Sequence, residues 1–104
     1  MSPNIDKTKE HEIELLIKSI FVKYPVGAKS VLNAIWEVNI EQDKKSDNYL
    51  AVEVVAYNNG LKKDFEKILA ELQLLGFIHR SPGAITIPEE IMVLYKHIVQ
   101  SLIC

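Results

Sequence analysis

Residues 60–88, GLKKDFEKILAELQLLGFIHRSPGAITIP, decide how this chain folds. Leu61, Phe65, Ile68, Leu69 and Leu72 recur at i, i+4, i+7, i+8 and i+11, the apolar stripe of one amphipathic helix. Gly76 follows, where helices commonly end in a left-handed residue. Phe77-Ile78 and Ile85-Thr86-Ile87 are β-prone segments on either side of Ser81-Pro82-Gly83, a turn sequence. The stretch predicts a helix over residues 61–75, a stop at Gly76 and a hairpin over residues 77–87.

Upstream, residues 1–7 read as a flexible arm and residues 8–24 as a first helix. Ile13, Leu16, Ile17, Ile20, Phe21 and Tyr24 keep the i, i+3, i+4 spacing of an inward face. Pro25 ends it, because a residue preceding proline is pushed out of the α region. A second helix is expected over residues 28–38, with Val31, Ile35 and Val38 inward and Trp36 in the core. The polar run NIEQDKKSDN over residues 39–48 reads as a loop. Residues 49–57, YLAVEVVAY, alternate like a strand yet also fit a short helix. Helix is favoured, because Asn58-Asn59-Gly60 then supplies the turn of a helix-turn-helix, with Ala56 as the small residue where the two helices meet and the asparagines as caps of the next helix.

The run of helix, glycine and hairpin resembles the winged helix-turn-helix family of DNA-binding domains. There the recognition helix runs into L-x-x-x-G-[FL]-I, matched here by Leu72, Gly76, Phe77 and Ile78, and a β-hairpin wing follows. PadR-like regulators are the nearest members, since YPVGAKSVLNAIWEVN resembles their second helix. On that register residues 28–38 precede the recognition helix and residues 39–59 are an insertion; on the other, residues 49–57 precede it. The resemblance implies a chain that is mainly α with a small β-hairpin, a winged helix-turn-helix with a C-terminal dimerisation helix, all in one domain. It also implies double-stranded DNA as partner and a role in transcription regulation or as a partition or DNA-organising adaptor; the residues themselves offer no catalytic constellation, so no catalysis and no cofactor are expected. Lys62, Lys63, Glu66 and Lys67 on the first turns of the recognition helix, with His79 and Arg80 at the wing, are the expected DNA-binding residues. Winged helices that bind only protein are the rival from another class.

The last segment, PEEIMVLYKHIVQSLIC, starts with proline and two glutamates, a helix-start signal. Ile91, Leu94, Tyr95, Ile98 and Leu102 form one stripe, and Met92, Val93, Val99 and Ile103 add apolar surface. So much apolar surface in so small a domain points to a homodimer formed through this stripe.

Composition bounds the rest. The chain has 104 residues, 48% of them hydrophobic and 25% charged, the balance of an ordinary globular domain. Net charge is −2 and the pI about 5.9, so DNA affinity would have to come from local rather than overall charge. The acidic first helix would suit recruitment of a second protein. No apolar run reaches the length of a membrane span, and the opening MSPNIDKTKEHE is unlike a signal peptide; a cytoplasmic location is expected. One cysteine, Cys104, excludes an internal disulfide. The glycines are too scattered for a phosphate loop. His11, His79 and His97 lie too far apart in sequence for a zinc-hydrolase pattern.

Overall fold

The computed structural model describes the backbone of residues 3–103 and the side-chain surroundings of residues 11–101 apart from Ile13. In chain order it contains α1 (Pro3–Lys23), α2 (Gly27–Trp36) running on into a π-helical turn (Glu37–Glu41), α3 (Tyr49–Asn58), α4 (Phe65–Leu74), β1 (His79–Ser81), β2 (Ala84–Thr86), a 3₁₀ turn (Glu89–Ile91) and α5 (Met92–Ile103). The fold is thus mainly helical, with one antiparallel hairpin near the C-terminus.

The helix expected over residues 61–75 begins only at Phe65. The reason lies in how α3 ends. The Gly60 N–H donates to the Tyr57 carbonyl and the Leu61 N–H to the Ala56 carbonyl, both at 3.1 Å, with Gly60 at φ 112°. This is the paired hydrogen bonding of a Schellman stop, in which the residue after the glycine tucks an apolar side chain inward. Leu61 does so and is buried. It therefore continues the apolar stripe while belonging to the end of α3. Asn58 closes α3 and Asn59 is its C-cap, so neither caps α4; that position falls to Asp64, at φ 69°. α4 ends in the same way: Gly76, at φ 79°, donates to Gln73 (3.0 Å), and Phe77 donates to Leu72 (2.9 Å) and is fully buried.

Residues 49–57 are helical, and Ala56 is fully buried. Val54 of the same helix is exposed. Helix α1 begins at Pro3, so residues 3–7 of the expected arm belong to it; Met1 and Ser2 lie outside the described residues. Ile17 and Ile20 are buried as expected, while Leu16 is about half exposed.

Helix α2 is the hub. Ala28, Val31, Leu32, Ala34 and Ile35 are all fully buried, and the helix touches α1, α3, α4 and α5. Gly27 lets its first turn close on α4, since a Cβ there would lie 2.8 Å from Ile68 Cδ1. The hydroxyl of Tyr95 on α5 donates to the Leu32 carbonyl at 2.9 Å. The Tyr95 ring stacks on half-buried Trp36 (6.0 Å, 18°) and lies beside Phe77 (5.3 Å). Full burial raises the Tyr95 phenol well above its ordinary pKa. Leu94, Ile98 and Val99 are buried too, and Ile91 packs against the same core. The stripe assigned to a dimer contact is therefore occupied by the chain's own core. Helix α2 supplies cover that the sequence alone did not reveal, and α1 borders α5 where Ile17, Phe21 and Ile98 line a shared cleft. The side chain of Leu102, the remaining member, lies outside those described.

The hairpin is shorter than expected: Phe77-Ile78 is a buried lead-in to β1, and strand pairing runs from His79↔Thr86 through Arg80↔Ile85 to Ser81↔Ala84. Pro82 and Gly83 (φ 74°) make the turn. In a two-residue hairpin the pair flanking the turn exchanges hydrogen bonds and the next pair does not, so the Ile85 N–H and C=O face away from β1. Two buried asparagines meet them. Asn48 accepts from the Ile85 N–H (2.7 Å) and donates to its carbonyl (2.9 Å), and Asn39 donates to the same carbonyl (2.9 Å).

Asn48→Ala leaves the buried Ile85 N–H unpaired and should lower unfolding free energy by about 2 kcal/mol, read by urea or thermal melts. Leu94→Glu with Ile98→Glu should abolish the cooperative melt, because both charges enter the core; a folded double variant would overturn the placement of α5.

Candidate nucleic-acid interface

The basic residues fall into two groups. Lys62 and Lys63 are exposed in the turn between α3 and α4, not on the first turn of a helix as the sequence spacing implied. They border an open cleft of about 360 Å³ between this turn and the α1–α2 corner, with Tyr24, Val26, Leu61 and Ile68 among its lining. Lys23 also lines the cleft but is held by Glu71 on α4 at 2.9 Å; the Tyr24 hydroxyl donates to the same oxygen at 3.1 Å. The Glu71 carboxyl is accordingly held below its ordinary pKa, mainly by the Lys23 hydrogen bond. Among the described residues, Lys62 and Lys63 have no carboxylate at ion-pair distance. Lys67, on the first turn of α4, lies 3.8 Å from Asp64, an i,i+3 surface pair of little energetic weight.

The second group centres on Glu66. Arg80 on β1 grips it with both guanidinium arms, Nη1 to Oε1 at 3.0 Å and Nη2 to Oε2 at 3.2 Å. The Tyr49 hydroxyl, from the first residue of α3, donates to Oε2 as well. The Arg80 guanidinium lies 5.8 Å from the centre of the Tyr49 ring, which meets Phe65 edge-on at 5.4 Å. One carboxylate therefore ties α3, α4 and the hairpin together. The Arg80 and Tyr49 hydrogen bonds hold the Glu66 carboxyl below its ordinary pKa. Burial, then the bond to Glu66, pushes the Tyr49 phenol up to about 12.

Glu66 and Arg80, expected as separate DNA contacts, are thus paired with one another. His79 is exposed at the start of β1. Spacing alone missed Tyr49, Asn39 and Asn48. The only sequence hint was polarity at residues flanking apolar runs, which also describes any loop.

Among the described residues no three His, Cys, Asp or Glu side chains gather as a metal site, and no helix is long and apolar enough to cross a membrane. No family model, curated protein or solved structure matches this chain.

The Glu66 carboxyl should titrate below its ordinary value of 4.5, and Arg80→Ala should raise its midpoint; carbon-detected NMR titration reads both. Because the folded-state value lies below the unfolded one, this brace stabilises the fold above the ordinary carboxylate range. That stabilisation is lost as pH falls through the folded-state value.

Proposed function

We propose that this protein binds double-stranded DNA as a winged helix-turn-helix domain, either at a specific sequence or as a marker of a site. In this reading α3 and α4 are the helix pair, α4 faces the major groove and the β1–β2 hairpin is the wing. The use of the activity is transcription regulation, without catalysis or cofactor. The observation that carries the reading is that α3, α4 and the hairpin follow one another in chain order and converge on Glu66, beside exposed Lys62, Lys63 and Lys67. Those lysines give a local positive surface on a chain of net charge −2.

A second copy belongs to the reading, because two such surfaces would raise the affinity that a single small one supports. With the described part of the α5 stripe buried, the large apolar residues left exposed on α1 and α5 among the described residues are Leu15, Leu16, Val22 and Val93.

One observation favours the rival reading, a protein-interaction module. Leu50, Val54 and Tyr57 lie at i, i+4 and i+7 on α3 and are 70%, 57% and 42% exposed. Such a stripe suits an apolar partner.

A mobility-shift assay across salt separates the two, since binding through phosphates weakens steeply with salt. Lys63→Glu with Lys67→Glu should abolish the shift while leaving the melt unchanged, because both side chains are exposed. Milder neutral substitutions, Lys63→Gln or Lys67→Gln, should each flatten the log–log salt slope by about one. Full affinity in the folded double variant, or no wild-type shift at low salt, defeats the DNA reading.

A further inference from the structure

We propose that Glu66 is an internal substitute for DNA phosphate, latching Arg80 in the free protein and limiting how tightly the domain holds a duplex. The inference rests on the DNA-binding reading above and names how that surface is set. A guanidinium takes a carboxylate and a phosphate through the same two-pronged geometry. Here both prongs are already filled, at 3.0 and 3.2 Å, by a carboxylate of the same chain. The Arg80 side chain is 24% exposed and the Glu66 side chain 58%. The carboxylate is thus the more solvent-facing partner, and a phosphate reaching Arg80 has to displace it. Tyr49 steadies the latch, donating its hydroxyl to the Glu66 oxygen that also takes Arg80 Nη2 while its ring lies beside the guanidinium. The arrangement recurs more loosely at Lys67, with Asp64 at 3.8 Å. Both cations that adjoin the start of α4 therefore have a carboxylate neighbour, whereas Lys62 and Lys63 in the preceding turn have none among the described residues.

Releasing the latch and merely removing a negative charge predict different couplings, and a double-mutant cycle separates them. The measurement is affinity for a short duplex across a salt series, on wild type, Glu66→Gln, Arg80→Ala and the double variant, each checked for an intact melt. Glu66→Gln keeps the side chain's shape and should tighten binding about fivefold at low salt, as one freed guanidinium would. It should also steepen the salt slope by about one. In the Arg80→Ala background the same change should alter affinity less than twofold. Tyr49→Phe, which keeps the ring and removes one hydroxyl from the carboxylate, should give a smaller gain of the same sign. Unchanged or weaker binding by folded Glu66→Gln overturns the latch, and so does an equal gain with Arg80 absent. If wild type binds and the cycle shows no coupling, the latch alone fails. If none of the four proteins shifts the duplex at low salt, the DNA reading fails and the latch with it.

Discussion

Two strands of three residues cannot hold themselves together in water, and everything the hairpin carries depends on how that constraint is met. Ile85 sits at the non-exchanging position of the pair, so its N–H and C=O need partners from outside the hairpin. Asn48 supplies both and Asn39 reinforces the carbonyl. The Tyr49 N–H adds a bond to the Gly83 carbonyl at 3.1 Å. The hairpin is therefore placed by the segment between α2 and α3, not by its own turn. Arg80, across from Ile85, takes its position from the same contacts. The π-helical turn fits this role: it carries Asn39, whose amide bonds both Ile35 and Ile85.

The surface is organised by pairing more than by net charge. Glu71 takes Lys23 and Tyr24, Glu66 takes Arg80 and Tyr49, and Asp64 stands near Lys67. The first two braces join α4 to other elements across long sequence separations, while the Asp64–Lys67 pair is local to the start of α4. Exposed ion pairs contribute little stability individually, so their weight lies in orientation. The two long-range braces fix which side of α4 is presented, and among the described residues Lys62 and Lys63 have no carboxylate at ion-pair distance.

Much of the architecture was legible because it rests on local rules. The helical periods of α1, α2 and α4, the glycine stop at Gly76 and the Ser-Pro-Gly turn all follow from spacing and backbone preference. The helical state of residues 49–57 followed from the turn signal after it, despite the β-branched composition. What failed were inferences needing knowledge of neighbours. Leu61 mimicked the first residue of α4 because a Schellman tail and a helix face both demand an apolar residue there. The α5 stripe resembled an interface because its true partners, Leu32 and Trp36, lie about sixty residues away. The Glu66–Arg80–Tyr49 cluster joins residues from three elements, and nothing in their spacing announces it.

The closure of Ile85 has a consequence for the company this domain keeps. A strand edge with unpaired backbone groups invites another strand to join it, the usual first step of edge-to-edge aggregation. Where β2 would offer such an opening, two side-chain amides already occupy it, one of them imitating a neighbouring strand with both donor and acceptor. At Ile85 the sheet is terminated chemically as well as by length, so growth of the sheet by adding a third strand at β2 is blocked at its centre.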